Sequence, residues 1–241
     1  MTSDHTGPAP RRAELSARLL DVRARISAAC AAAGREAGEV TLIAVTKTYP
    51  VSDIALLTEL GLTDIGENKD QEAAPKAAEC AALGLVPRWH FVGQLQTNKA
   101  RSVAGYADVI HSVDRIRLVS ALGRRAREAG RELTCLVQVS LDGAPGRGGA
   151  FGGDVLRVAG ALAAQDGLTL GGVMAIAPQD QPAELAFGKL RETAGQVSAR
   201  YPGAAIISAG MSDDLEAAIA AGATHVRVGT ALLGGRRAFV R

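Results

Sequence analysis

The sequence predicts an α/β protein with one domain, a closed (β/α)8 barrel of the TIM type preceded by an extra N-terminal helix. Three observations point there. Short apolar, β-rich runs alternate with helical patterns along nearly all of the 241 residues. No Pro- or Ser-rich linker divides the chain, and its length suits one such barrel. Hydrophobic residues reach 47% while aromatics supply only 3%, so the core must be built from Ala, Val, Leu and Ile. An open doubly wound sheet is the competing topology, because periodicity does not show closure.

Taken in order, residues 1–10 are polar, carry two prolines and are expected to be disordered, which leaves 11–241 as the barrel domain. Leu15, Leu19, Val22, Ile26 and Cys30 recur at helical spacing over 11–33, and Gly34 can end that helix. Strands are expected at 41–46, 63–65, 89–92, 108–111, 133–139, 168–175, 205–208 and 225–228. Helical patterns fill the intervals near 52–60, 69–82, 97–104, 114–129, 154–164, 182–200 and 213–221, with Asp114 and Pro182 as N-terminal signals. The glycine-rich stretch GAPGRGGAFGG, 143–153, contains neither GxGxxG nor GxxxxGK[ST]. It reads as a flexible loop after the fifth strand, with Arg147 available to an anion.

Composition removes several classes of function. A net charge of +2 and few aromatics argue against a nucleic-acid partner. The N-terminus has no apolar signal region and no run approaches a membrane span, so a soluble cytoplasmic protein is expected. Cys30, Cys80 and Cys135 are widely spaced among apolar neighbours and match no zinc or CxxC pattern. His5, His90, His111 and His225 are scattered without ligand spacing, and no metal site is expected.

One residue stands out. The run Leu42, Ile43, Ala44, Val45 reads as a strand buried on both faces, and Lys47 stands at its C-terminal edge. It can snorkel into water. Yet of 27 basic residues only Lys47, Lys69, Lys76, Lys99 and Lys189 are lysines, so the chain uses arginine where either cation would serve. Arginine cannot condense with a carbonyl, whereas lysine can.

In a closed barrel the last strand lies beside the first, active sites sit at the C-terminal strand ends, and phosphates often bind after strands seven and eight. The stretch ISAGMSDD, 207–214, offers Ser208, Ser212 and Gly210 and leads into a helix whose N-terminus favours anions. Strand eight ends in HVRVGTALLG, where Gly229 and Thr230 repeat that chemistry. Arg227 alternates with Val226 and Val228 and points to the opposite face, either to pair with an acidic neighbour such as Glu67 or to meet a ligand. An aldehyde-bearing phosphate such as pyridoxal phosphate satisfies all of these groups at once: aldehyde to Lys47, ring nitrogen to Arg227, phosphate to the glycines and hydroxyls.

AVTKTYP, GENKDQE, WHFVGQLQTNK, GGVMAIAP, SAGMSDDLEAAI and VRVGTALLG, in order and in register over 42–234, closely resemble the motifs of the pyridoxal phosphate homeostasis proteins. This YggS/PROSC family has the fold of the alanine racemase N-terminal domain, a fold type III pyridoxal phosphate protein. The resemblance implies that Lys47 carries the Schiff base, that Arg227 faces the pyridine nitrogen, and that Ser208, Gly229 and Thr230 surround the phosphate. Asn68, Met211 and Ser212 match motifs near the cofactor. The chain departs from the family at Lys69, where an aromatic is usual, and at Arg147, where the family carries lysine.

Two function classes remain. An amino-acid racemase needs strong acid/base help, which alanine racemase takes partly from a tyrosine on a second domain, and Tyr49, Tyr106 and Tyr201 are the only tyrosines here. A carrier needs none, and an arginine at the ring nitrogen weakens the electron sink. The expectation is therefore a non-enzymatic monomer that holds pyridoxal phosphate and delivers it to apo enzymes. A phosphate-binding barrel enzyme with Lys47 as an electrostatic clamp is the weaker alternative.

Overall fold

The computed structural model describes residues 8–144 and 146–235. Eight parallel strands close in sequence order: β1 (Thr41–Val45), β2 (Asp64–Glu67), β3 (Arg88–Phe91), β4 (Val109–Val113), β5 (Leu133–Gln138), β6 (Leu168–Met174), β7 (Ile206–Ser208) and β8 (His225–Val228). β1 pairs with β8 in parallel, with Ile43 opposite Arg227, so the open-sheet alternative falls. The helices are α1 (Pro8–Ala32), α2 (Val51–Glu59), α3 (Asp70–Ala82), α4 (Ala100–Tyr106), α5 (Ile116–Glu128), α6 (Asp154–Ala163), α7 (Ala183–Arg200), α8 (Leu215–Ala220) and α9 (Thr230–Leu233).

The extra helix has a structural reason. α9 is four residues long and leaves the outer faces of β8 and β1 uncovered. α1 takes that place: Leu15, Leu19, Val22, Ile26 and Cys30 are buried with Leu42, Ala44, Val226 and Val228. The stripe spaced at three and four residues is thus a core-facing stripe. Arg11 anchors the start of α1 by donating to Asp53 Oδ2 of α2 at 2.7 Å and to Leu233 O of α9 at 3.1 Å.

Several expected boundaries shift. α1 begins at Pro8, ahead of the expected start at Arg11, because the first helical turn needs no N–H donors and tolerates proline. Residues 1–7 of the segment expected to be disordered lie outside the described residues. β2 runs on to Glu67, two residues beyond expectation, since Gly66 and Glu67 have weak strand propensity but pair with His90 and Phe91 of β3. The loop after β5, expected to be flexible, folds back on the strand: Ala150 N–H donates to Gln138 O at 2.7 Å and Ser140 N–H to Ala150 O at 2.9 Å.

Candidate functional site

β1 ends at Val45, and residues 46–49 form a turn closed by Tyr49 N–H donating to Thr46 O at 3.0 Å. Thr48 sits in the left-handed region at φ 66. For a β-branched residue that conformation costs about 1–3 kcal/mol, so neighbouring groups must enforce it. α3 does so. Thr48 N–H donates to Glu72 Oε2 at 3.1 Å, and Lys76 Nζ donates to Thr46 O at 2.8 Å. Glu67 Oε1 accepts from both Lys76 Nζ at 2.6 Å and Thr46 Oγ1 at 2.7 Å. Desolvation raises the Glu67 pKa, with Lys76 opposing it. The turn presents Lys47 outward, exposed at the C-terminal mouth of the barrel.

Lys47 lines a cavity of about 420 Å³ together with Asn68, Met211, Ser212, Arg227, Gly229 and Thr230. That size lies within the ~300–1,000 Å³ range of small-molecule pockets. The topology thus brings together seven of the eight residues singled out in the sequence. An adjoining cavity of about 330 Å³ shares Lys47, Asn68, Gly229 and Thr230 and is also lined by Tyr49. Asn68 is held close to β3 because Gly93 has no side chain; a Cβ there would lie 1.9 Å from Asn68 O. Asn68 Oδ1 is buried without a hydrogen-bond partner, an acceptor that a ligand or water would satisfy. Ser212 Oγ accepts the Ala231 N–H at 3.1 Å, which leaves its O–H proton to donate elsewhere. The helix after β7 is shorter than the sequence suggests, and the Met211 N–H near its start donates to Asp214 Oδ1 at 2.6 Å.

Ser208 is the exception. Expected beside a phosphate, it is fully buried and does not line the cavity. It is the last residue of β7, and its hydroxyl faces the barrel interior, where Arg227 Nη1 donates to it at 2.7 Å and His111 Nδ1 lies 2.9 Å away. Arg227 Nη2 donates to Ala175 O at 2.9 Å. The alternative pairing of Arg227 with Glu67 also fails, because Glu67 turns outward to Lys76 of α3 while Arg227 turns inward. Burial lowers the Arg227 pKa to about 10, with only Asp214 opposing. A cation so placed favours an electron-pair donor in front of it.

Sequence reading missed the histidines. His90 Nδ1 lies 2.9 Å from His111 Nε2, and His90 Nε2 lies 2.9 Å from Asp64 Oδ1. The His225 ring stands 6.3 Å from that of His90. Burial depresses all three pKa values, that of His225 to about 4. The available signal was one polar residue in each of several successive apolar strands. Of the two family departures, Lys69 lines the adjoining cavity beside Lys47, exposed and facing Glu72 at 4.0 Å, whereas Arg147 lines neither cavity and pairs with Asp142 at 2.9 Å. Among the described residues no group of His, Cys, Asp and Glu could hold a metal ion, and no helix is long and apolar enough to cross a membrane.

A parallel barrel with an amine at the end of its first strand and a buried arginine in its last defines a class: fold type III barrels built to hold a phosphorylated aldehyde. Comparison with known proteins agrees. Residues 21–237 match the family model for the alanine racemase N-terminal domain. The pyridoxal phosphate homeostasis protein of Mycobacterium tuberculosis is 43% identical, covering 98% of both chains. That of Escherichia coli is 38% identical over 92% of this chain and 97% of its own. Solved PipY of Synechococcus elongatus, with PLP bound, superposes with a TM-score of 0.78 at 34% identity, covering 91% of this chain and 100% of PipY. Alanine racemase of Streptomyces coelicolor, 19% identical with a TM-score of 0.72, shares the fold over 58% of its length. The chain belongs to the pyridoxal phosphate homeostasis proteins, within the alanine racemase N-terminal domain family.

Proposed function

We propose that this protein holds pyridoxal phosphate reversibly and delivers it to apo enzymes, with no committed turnover of its own. The supporting observation is the convergence of Lys47, Arg227 and the Ser212–Gly229–Thr230 end on one cavity. When bound, the cofactor supplies an aldehyde and a ring able to accept electrons. Lys47 offers its ε-amine to the aldehyde carbon. Ser212 would donate its hydroxyl proton to the phosphate, beside Thr230 and the open backbone at Gly229. Arg227, which lines the same cavity, would offer a remaining N–H to the ring nitrogen, which would disfavour ring protonation and blunt the electron sink.

Acid/base help is poorly placed among the described residues. Tyr106 and Tyr201 pack in the helix layer, and Tyr49 O–H lies 2.9 Å from both Gly234 O and Gly235 O. His90 and His111 are buried inside the barrel and bonded to one another. A monomer in the cytoplasm, open at its mouth to a recipient enzyme, is the working form of this reading. The test is to mix the loaded protein with an apo pyridoxal enzyme and follow reactivation, beside an alanine racemization assay. Reactivation without racemization is expected. A racemase turnover of about 1 s⁻¹ or more, the low end of ordinary enzymes, would overturn the carrier reading.

A further inference from the structure

Asp64, His90, His111, Ser208 and Arg227 form one unbroken chain of hydrogen bonds through the barrel interior. From β2 to β8 its links measure 2.9, 2.9, 2.9 and 2.7 Å. Its direction follows from chemistry. Guanidinium can only donate, so Ser208 Oγ accepts from Arg227. The Ser208 O–H proton then has His111 Nδ1 as its acceptor. A neutral His111 accepting at Nδ1 carries its proton on Nε2 and gives it to His90 Nδ1. His90 in turn carries its proton on Nε2 and gives it to the Asp64 carboxylate. The reverse polarity turns a nitrogen lone pair of His90 toward a carboxylate and leaves the Ser208 proton without an acceptor.

We infer that Asp64, His90, His111 and Ser208 are positioning residues that orient Arg227 from within the barrel, fixing which of its N–H groups faces the cofactor pocket. A carboxylate at the start of β2, at the far end of the barrel from the mouth, thereby balances a cation that no carboxylate touches directly among the described residues. Two neutral histidines carry that polarity across the core. His225, beside His90, bonds to Thr224 Oγ1 at 2.9 Å and stays outside the chain. The inference rests on the proposed pyridine partner of Arg227 for its purpose, while the polarity of the chain stands by itself.

Nitrogen-15 NMR of the full-length protein at pH 7, before and after adding pyridoxal phosphate, reads that polarity. His90 and His111 are both expected to be neutral with the proton on Nε2. A proton on Nδ1 of either overturns the inference. Ser208→Ala is expected to weaken pyridoxal phosphate binding by about tenfold and to shift the absorption maximum of the bound chromophore, with Ser208→Thr restoring most of both. A Ser208→Ala protein that keeps wild-type affinity and spectrum also overturns it. Should that variant fail to fold, the tautomers of the wild-type protein decide. A wild-type protein that binds no pyridoxal phosphate would sink the carrier reading instead and leave the tautomer test intact.

Discussion

Ile43 of β1 and Arg227 of β8 are register partners across the seam that closes the barrel. Arg227 therefore reaches into the interior from the strand beside the one that ends at the Lys47 turn. That turn is held from outside by Lys76, whose side chain is 13% exposed against 1% for its partner Glu67. Lys76→Met leaves Glu67 buried without its cation and Thr46 O with the Tyr49 N–H as its remaining donor. Breaking a buried pair in this way costs about 3–5 kcal/mol, and urea unfolding is expected to show a loss of that order. Lys76→Met with Glu67→Gln together should recover part of it.

Gly93→Ala puts a methyl into the carbonyl of Asn68. Overpacking of this kind costs about 1–3 kcal/mol, and pyridoxal phosphate affinity should fall along with stability. A variant with unchanged affinity would show that Asn68 does not contribute to the pocket.

Phosphate recognition is expected to dominate affinity. Hydrogen bonds to charged groups contribute about 1.5–3 kcal/mol each, so unphosphorylated pyridoxal should bind at least tenfold more weakly. Ser212→Ala removes the proposed phosphate donor together with the acceptor of the Ala231 N–H. Isothermal titration with the two ligands measures the difference. Equal affinities would reduce Ser212, Gly229 and Thr230 to turn chemistry.

Stability is expected to fall with acid between pH 6.5 and about 4. His90, His111 and His225 have folded pKa values held below 6.5 by burial, that of His225 at about 4. In this window the unfolded chain binds more protons than the native one, so stability rises with pH and is lost as pH falls. Each unit of depression amounts to about 1.4 kcal/mol per group. Urea denaturation at pH 7.5 and pH 5 checks the sign, and a higher midpoint at pH 5 would contradict it.

Much of the fold and most of the pocket were legible locally. The 42–45 run and the alternation of Val226, Arg227 and Val228 mark strand faces without reference to any other element. Lys47, Gly229 and Thr230 follow as strand-end residues. Ser208 was misplaced because its parity within β7, three residues long, decides between cavity and interior, and so short a strand carries little periodicity. The histidine chain was illegible for a different reason. His90 and His111 lie 21 positions apart and meet only through the pairing of β3 with β4, while His111 and Ser208 lie 97 apart and meet only because the closed barrel sets β4 across from β7. β2 came out short because Gly66 is dictated by packing: a Cβ there would lie 3.0 Å from Ile43 Cγ2, a contact no local pattern encodes.

The carrier reading stands most directly on the amine of Lys47. Borohydride reduction of the protein loaded with pyridoxal phosphate, followed by peptide mapping, locates the attachment. The adduct is expected on Lys47 alone, with Lys47→Ala folded and yielding none. An adduct on Lys69, Lys76 or Lys99, or a wild-type protein that gives none, would contradict it.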